Sequence, residues 1–458
     1  MITVNTVIVL VLVLMLVLLL LRVPVAVSLG LSGALGLVAL RGINHTTNVL
    51  GAEPFSETAT FSLTIIPMFI LMGMFAVRAN VADYVFKIAD RVLGRFPGGL
   101  GIATVAASAG FSAVSGSSIG TAATMARLSV NEMRAAGYPA SMATALVAVA
   151  GTLGSMIPPS TFLVLYAILA QVSVAEMLAA GIVPGILSAI AYALWIMFAG
   201  WRMNREGKVV TEADSVKDAL DQATELNAEQ REKTPLGQLP WRGLVYIAIL
   251  FLIVLGGMYS GIFTATESAA FGAIAAVIIL LFELRKEGAK GIWHGITQAL
   301  QNTASTTAMV FFIVIGSAIL SSFFIAAQVP NKITEAVLSW NMAPQMVMLV
   351  LLLSLIPLGM VLESLSLLMI SVPLLLPVAL EFGFDPIWLG ILIVKFIEIG
   401  MVTPPVGINA FVVAGTTGIR SETVFRGIMP FFVLDLILIA IFFFVPDIIL
   451  FLPSLVQS

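Results

Sequence analysis

Hard oxygen donors recur at four places in this chain. The first is Ser115-Gly116-Ser117-Ser118-Ile-Gly120-Thr121-Ala-Ala-Thr124, where hydroxyls alternate with small residues. The second, Gly151-Thr152-Leu-Gly154-Ser155-Met-Ile-Pro158-Pro159-Ser160, surrounds a double proline with hydroxyls. The third is Gly359-Met-Val-Leu-Glu363-Ser364-Leu-Ser366; the fourth is Gly400-Met-Val-Thr403-Pro404-Pro405-Val-Gly407-Ile-Asn409, preceded by Lys395 and Glu398. Hydroxyls and freed backbone carbonyls suit a hard cation such as Na⁺. With no cysteine and only His45 and His294, disulfides and thiolate metal sites are excluded and little remains for a histidine-held metal. Each feature also has a plain structural reading. Small residues let membrane helices approach closely, Glu363 can cap a helix, and Lys395 and Glu398, three apart on one helix face, can pair with each other. Arg127 either attracts an anion or reaches the membrane surface. An intramembrane enzyme using Glu363, Lys395 and Glu398 is a remote alternative, because the chain lacks a nucleophile-base pair, a metal-ligand cluster and a cofactor motif.

The second and fourth segments place Pro-Pro at positions 246 apart, and the same offset pairs Gly137 with Gly383, Glu176 with Glu422, Gly181 with Gly427 and Pro184 with Pro430. This is an internal duplication. Proline removes a donor and breaks the helix, and carbonyls so freed cannot be left bare in hydrocarbon. Matched breaks in two halves point to a secondary transporter with its sites near the bilayer midplane.

The elements that must position these residues are membrane helices. Apolar residues make up 60% of the chain and charged residues 10%, against roughly 45–50% and 25% in soluble domains. The net charge of −3 gives no sign of a nucleic-acid partner. Apolar runs of spanning length are predicted at 4–21, 24–40, 62–79, 140–172 and 181–200, and again at 243–262, 266–284, 304–327, 386–418 and 428–452. Segments 98–134 and 343–382 are read as re-entrant hairpins. The run at Val7–Leu21 lacks a preceding basic residue and a cleavage site, so it is expected to be retained rather than removed as a signal peptide.

That scheme puts Arg22, Arg78, Lys87, Arg91, Arg95, Arg134, the seven basic residues from Arg202 to Arg242, Arg285, Lys286, Lys290, Arg420 and Arg426 on the inside, 18 of the 22 basic residues. This is the positive-inside pattern. The expected fold is therefore an all-α polytopic membrane protein of two inverted repeats. Each has five crossings, one hairpin and one broken helix. Residues 1–201 form the first repeat, with a cytoplasm-opening hairpin at 98–134 and a broken helix at 140–172. Residues 202–242 form a cytoplasmic linker, solvated along 203–240. Residues 243–458 form the second repeat, with a periplasm-opening hairpin at 343–382 and a broken helix at 386–418. Both termini are expected to be periplasmic. The stretch Gly291–Asn302 suits a separate interfacial helix. At Gly261-Ile-Phe-Thr264-Ala-Thr266-Glu267, Thr266 is predicted to cap a helix with Glu267 near its positive end. Gly98-Gly99-Leu-Gly101 lacks the Gly-Lys-Ser/Thr of a phosphate loop and is read as the hairpin entry.

Ala113-Val-Ser115-Gly116-Ser117, Ile157-Pro158-Pro159-Ser160, Gly261-Ile-Phe-Thr264 with Thr266-Glu267, and Ile399-Gly400-Met-Val-Thr403-Pro404-Pro405-Val-Gly407 together resemble the large membrane subunit of tripartite ATP-independent periplasmic (TRAP) transporters over nearly the whole length. Glu363 stands where family members often carry Asp, and the linker is longer than usual. The resemblance implies an elevator-type fold in the bacterial inner membrane and Na⁺-coupled uptake of a small organic carboxylate, such as a C4-dicarboxylate, sialic acid or a 2-oxoacid. It implies a periplasmic substrate-binding protein and a small four-helix membrane subunit as partners, the latter expected as a separate chain. By that resemblance one Na⁺ sits among Ser115, Gly116, Ser117, Gly151, Thr152, Ser155 and Pro158. A second sits among Glu363, Ser364, Gly400, Thr403 and Pro404. Substrate contacts are expected from Ser118, Thr121, Thr124, Ser160, Ser366, Asn409 and Lys395. A stand-alone Na⁺/anion symporter is the alternative.

Overall fold

The computed structural model describes residues 3–21, 23–206, 237, 239–339, 342–360 and 362–456. The centre of the expected linker, 207–236, lies outside the described residues. Among those residues the fold is all-helical. The first half comprises α1 (Val4–Leu20), α2 (Val25–Arg41), α3 (Ile43–Thr58), α4 (Ile65–Arg78), α5 (Val81–Leu93), α6 (Gly99–Ser115), α7 (Ser118–Ala135), α8 (Ala140–Met156), α9 (Thr161–Ala170) and α10 (Val174–Glu206). The second comprises α11 (Arg242–Tyr259), α12 (Ala265–Leu284), α13 (Gly288–Ala326), α14 (Val329–Leu338), α15 (Pro344–Gly359), α16 (Ser364–Glu381), α17 (Pro386–Val402), α18 (Ile408–Thr417), α19 (Ser421–Phe444) and α20 (Asp447–Val456). By length and composition, Phe61–Arg78, Val174–Arg202, Arg242–Tyr259, Ala265–Ala326, Ser364–Glu381 and Ser421–Phe444 qualify as membrane-crossing, and α8 with α9 forms a seventh unit bent by 42°.

Helix bounds repeat with the sequence offset. Helices α7 and α16 both have 18 residues and start 246 positions apart; α8 and α17 both have 17 and start at the same interval. Each half also has a short helix before its hairpin, α5 and α14, which the apolar runs did not disclose because both carry a polar face.

Three sequence expectations change. Gly291–Asn302 is no separate interfacial helix: it belongs to α13, which continues unbroken through 304–327 for 39 residues. Trp293 and Leu300 are exposed along it, and no proline interrupts its hydrogen-bond ladder. In the first half the corresponding stretch divides into α3 and α4, with Thr60 and a 3₁₀ turn at Phe61–Thr64 between them. The run 428–452 likewise divides, because Pro446 follows the end of α19 at Phe444. Thr264, not Thr266, caps α12. Its hydroxyl receives the Glu267 amide at 3.3 Å while the Glu267 carboxylate receives the Thr264 amide at 2.8 Å, a reciprocal capping box.

Helices α2, α3, α4, α12 and α13 pack on one another; the first hairpin and the broken helices pack on α10 and α19, while the second hairpin packs on α17, α9, α14 and α13. The hairpins meet the breaks through glycine. A Cβ on Gly154 would lie 2.7 Å from the Ser117 carbonyl oxygen; one on Gly400 would lie 2.7 Å from the Gly359 Cα. These glycines are repeat-equivalent, and each lets a break approach a hairpin tip. Gly154→Val and Gly400→Val are expected each to destabilise the fold by about 1–3 kcal/mol through overpacking, read as a lower thermal unfolding midpoint of the purified protein.

Candidate functional site

Both hairpin tips open onto one cavity of about 330 Å³. Its polar lining comes from Ser115, Ser117, Ser118 and Gly120 of the first tip, Thr161 at the start of α9, Thr306 of α13, and Glu363 and Ser364 of the second tip. Ile66, Ile70, Met74 and Val77 of α4, Met309 and Val310 of α13, and Met401 supply an apolar wall. No Lys or Arg is among the described lining residues. The N-terminal ends of α7, α9 and α16 converge there instead, and helix N-termini carry partial positive charge with unpaired amides.

Local sequence explains each tip. Gly116 takes a left-handed conformation (φ +58°) that ends α6, as glycine does without penalty. Ser117 then caps α7 by accepting the Gly120 amide at 3.2 Å. Ser115 and Thr121 share a 2.8 Å hydroxyl contact across the tip. Thr161 donates to the Gly116 carbonyl at 3.0 Å and Ser118 donates to Ser155 at 2.9 Å, so the tip is bonded to the first break on both sides. At the second tip Glu363 caps α16: its Oε2 receives the Ser366 amide at 3.1 Å and the Ser366 hydroxyl at 3.2 Å. Glu363 thus takes the capping role, and it also lines the cavity.

Of the sequence-predicted residues, Ser115, Ser117, Ser118, Glu363 and Ser364 line the cavity. Gly116 belongs to the first tip but is not among the lining residues, and Gly151, Thr152, Ser155 and Pro158 belong to α8 and the first break. Thr152 donates back to the Val149 carbonyl at 2.7 Å. Gly400 lies behind the second tip, and Thr403 donates to the Ile399 carbonyl at 2.5 Å. Pro404 is exposed in the second break, where it joins Pro405 through a cis bond, as Pro158 joins Pro159.

The expected substrate contacts are more dispersed. Thr121 is buried against Ser115, and Thr124 lies further along α7 away from the cavity lining. Ser160 caps α9 and donates to the Ser155 carbonyl at 2.5 Å. Ser366 is engaged by Glu363. Asn409 is buried with its amide donating to the Ala148 carbonyl at 3.4 Å.

Lys395 is not placed for substrate contact. Its ammonium, 1% exposed, lies 3.2 Å from Glu398 and 2.9 Å from Asp435. Tyr192 donates to Asp435 at 2.6 Å, and Ser155 donates to Glu398 at 2.6 Å. Two carboxylates at the interior take the lysine up as their counter-charge. Sequence reasoning paired Lys395 with Glu398 but missed Asp435. The available signal was Asp435 as the one carboxylate beyond the first turn of the apolar helix Ser421–Phe444. Thr161 and Thr306 were also missed; they carry no pattern distinguishing them from packing hydroxyls.

A family model described as "Tripartite ATP-independent periplasmic transporter, DctM component" matches residues 12–448. The chain belongs to this family. A Pseudomonas aeruginosa relative, the C4-dicarboxylate TRAP transporter large permease protein DctM, is 32% identical over 428 residues, covering 93% of this chain and 94% of that protein. The isethionate TRAP transporter permease protein DctMQ of Oleidesulfovibrio alaskensis is 32% identical over 394 residues, covering 86% of this chain but 58% of the longer relative. The crystal structure of the Alcanivorax borkumensis YdaH transporter shares the fold, with a TM-score of 0.58 at 12% identity over 94% of this chain and 97% of that one. The protein is thus a TRAP transporter large permease subunit, a multi-pass membrane transport component whose relatives are permeases.

The ion cluster makes a direct prediction. Lys395→Ala leaves two carboxylates buried without their cation, and a loss of roughly 3–5 kcal/mol is expected. It should appear as a marked fall in the yield of folded permease by size-exclusion chromatography.

Proposed function

We propose that this TRAP permease drives Na⁺-coupled uptake of a small organic carboxylate across a bacterial inner membrane. In this reading a periplasmic binding protein delivers the substrate and a small membrane subunit completes the complex. The observation that carries the reading is the single cavity shared by both hairpin tips, lined by hydroxyls, three helix N-termini and one carboxylate. Helix N-termini receive an anion, while oxygen donors and Glu363 receive the accompanying cation. A cation between a carboxylate and an anion site that has no basic side chain relieves their mutual repulsion. The residues behind and around the tips, from Ser115 to Ser118 with Gly151 to Pro158, and Glu363 and Ser364 with Gly400 to Pro404, are the proposed Na⁺ surroundings.

The motion proposed is an elevator. Hairpins and broken helices move together against α2, α3, α4, α12 and α13, a reading supported by the packing of those five helices on one another and by the cavity between α4, α13 and the hairpin tips. The distribution of basic residues supports inverted repeats with both termini periplasmic. The names of the two relatives, one for C4-dicarboxylates and one for the sulfonate isethionate, support a small anionic substrate.

The test is uptake of radiolabelled C4-dicarboxylates, sialic acid and 2-oxoacids into proteoliposomes holding the permease and its small subunit. Accumulation is expected only with binding protein and an inward Na⁺ gradient together. Accumulation of free substrate without binding protein would replace this reading with a stand-alone symporter.

A further inference from the structure

The turn from α12 into α13 gathers three cations. Arg285 and Lys286 follow the end of α12, and Lys290 is the third residue of α13. All three are exposed, and among the described residues no carboxylate pairs with them. Glu287, the one carboxylate between Leu284 and Asn302, folds toward Gly291 instead, where an added Cβ would lie 2.9 Å from its Oε2. Arg285 and Lys286 suit the negative end of α12 without further help. Lys290 does not, because it stands at the positive end of α13, where a cation is disfavoured. A cation kept there gains from an anion supplied by the surroundings.

The same corner lies at the edge of the oily layer. The 20 residues of α12 rise about 30 Å, the thickness of the hydrocarbon, so Leu284 ends the crossing. The exposed apolar stripe of α12, Ile274, Ile278 and Phe282, stops there. Arg285 folds back over Phe282, its Cζ 4.1 Å from the ring centre. A ring open to lipid with a cation upon it marks the boundary between tails and headgroups. Helix α13 starts at that depth, because a Cβ on Gly295 would lie 2.5 Å from the Leu284 side chain. Trp293, 70% exposed, is three positions from Lys290 on the same helix face, and tryptophan is a residue that anchors at such an interface.

We propose that the corner between α12 and α13 binds the headgroups of anionic phospholipids in the cytoplasmic leaflet, with Arg285, Lys286 and Lys290 on the negative headgroup and Trp293 beside it. This needs only the membrane orientation read from the basic residues and is independent of sodium coupling. The duplication supplies a second observation. At the offset of 246, Arg285, Lys286, Lys290 and Trp293 correspond to Ala39, Leu40, Asn44 and Thr47. The outer copy of the frame forms its helices without these cations or the indole, so the fold does not demand them. Topology alone asks for cations on the inner side. It does not ask for one at the wrong end of a helix with an exposed indole next to it.

The experiment is quenching of Trp293 fluorescence in the permease reconstituted with its small subunit into phosphatidylcholine vesicles. These carry either tail-brominated phosphatidylglycerol or tail-brominated phosphatidylcholine at equal mole fraction, and the emission lost on Trp293→Phe isolates the signal. Phosphatidylglycerol is expected to associate at least about fivefold more strongly than phosphatidylcholine, the effect of one cation near an anionic lipid. The preference should fall as NaCl is raised. The triple variant Arg285→Gln/Lys286→Gln/Lys290→Gln should bring the two lipids within about twofold of each other. Lys290→Gln alone, at an exposed position, carries the test if the triple variant does not assemble, and should lower the preference by at least about twofold. Equal quenching by the two lipids in the wild type, or a preference unchanged in the variants, overturns the proposal. A preference abolished by inorganic phosphate at matched ionic strength overturns it in favour of a soluble-anion site. Trp293 left unquenched by both lipids overturns it in favour of a contact with the small subunit.

Discussion

Hydrocarbon offers no hydrogen bonds to a broken helix, and that constraint organises this molecule. Each double proline frees carbonyls at membrane depth. In the first half the break at Met156–Thr161 lies against the Gly116–Ser118 tip, with Ser155 and Thr161 bonded across the contact. In the second half Gly400 meets Gly359 just before the Glu363 tip. A break therefore has to sit beside a tip, and a tip beside a break. The cavity is the space left where the two such pairs face each other.

Much of this was legible because its causes are local. Pro158-Pro159 and Pro404-Pro405 must break a helix wherever they stand, and the common offset disclosed the duplication without a fold. The hairpin limbs followed from runs of small and apolar residues: Pro344–Gly359 with Ser364–Glu381 lies within 343–382, and Gly99–Ser115 with Ser118–Ala135 exceeds 98–134 by one residue. What stayed hidden depends on distant partners. Lys395 can be paired with Glu398 from helical spacing alone, but Asp435 and Tyr192 reach it from helices 40 and 203 positions away. Thr161 differs from any other threonine only in what it faces. The end of one helix and the start of another are also hard to separate where both are apolar, which is why α13 was divided and the 428–452 run was not.

The duplicated halves share a frame but not its filling. Where the second copy carries Lys395, Glu398 and Asp435, the first has Val149, Thr152 and Ala189. A buried ion cluster in both copies would cost desolvation twice. One suffices here because Ser155 of the first copy and Glu398 of the second share a hydrogen bond, which ties the halves at their centre. The two broken helices are consequently coupled to each other as well as to their own hairpins.

The unequal treatment of one further stretch has a mechanical consequence. At 1.5 Å per residue, the 39 residues of α13 make an unbroken rod of about 58 Å, nearly twice the roughly 30 Å depth of the oily layer. Its counterpart in the first half is two shorter rods with a joint near Thr60. One side of the frame is thus a continuous beam, and the other is articulated. Bending of this frame therefore concentrates at the Thr60 joint and not along α13.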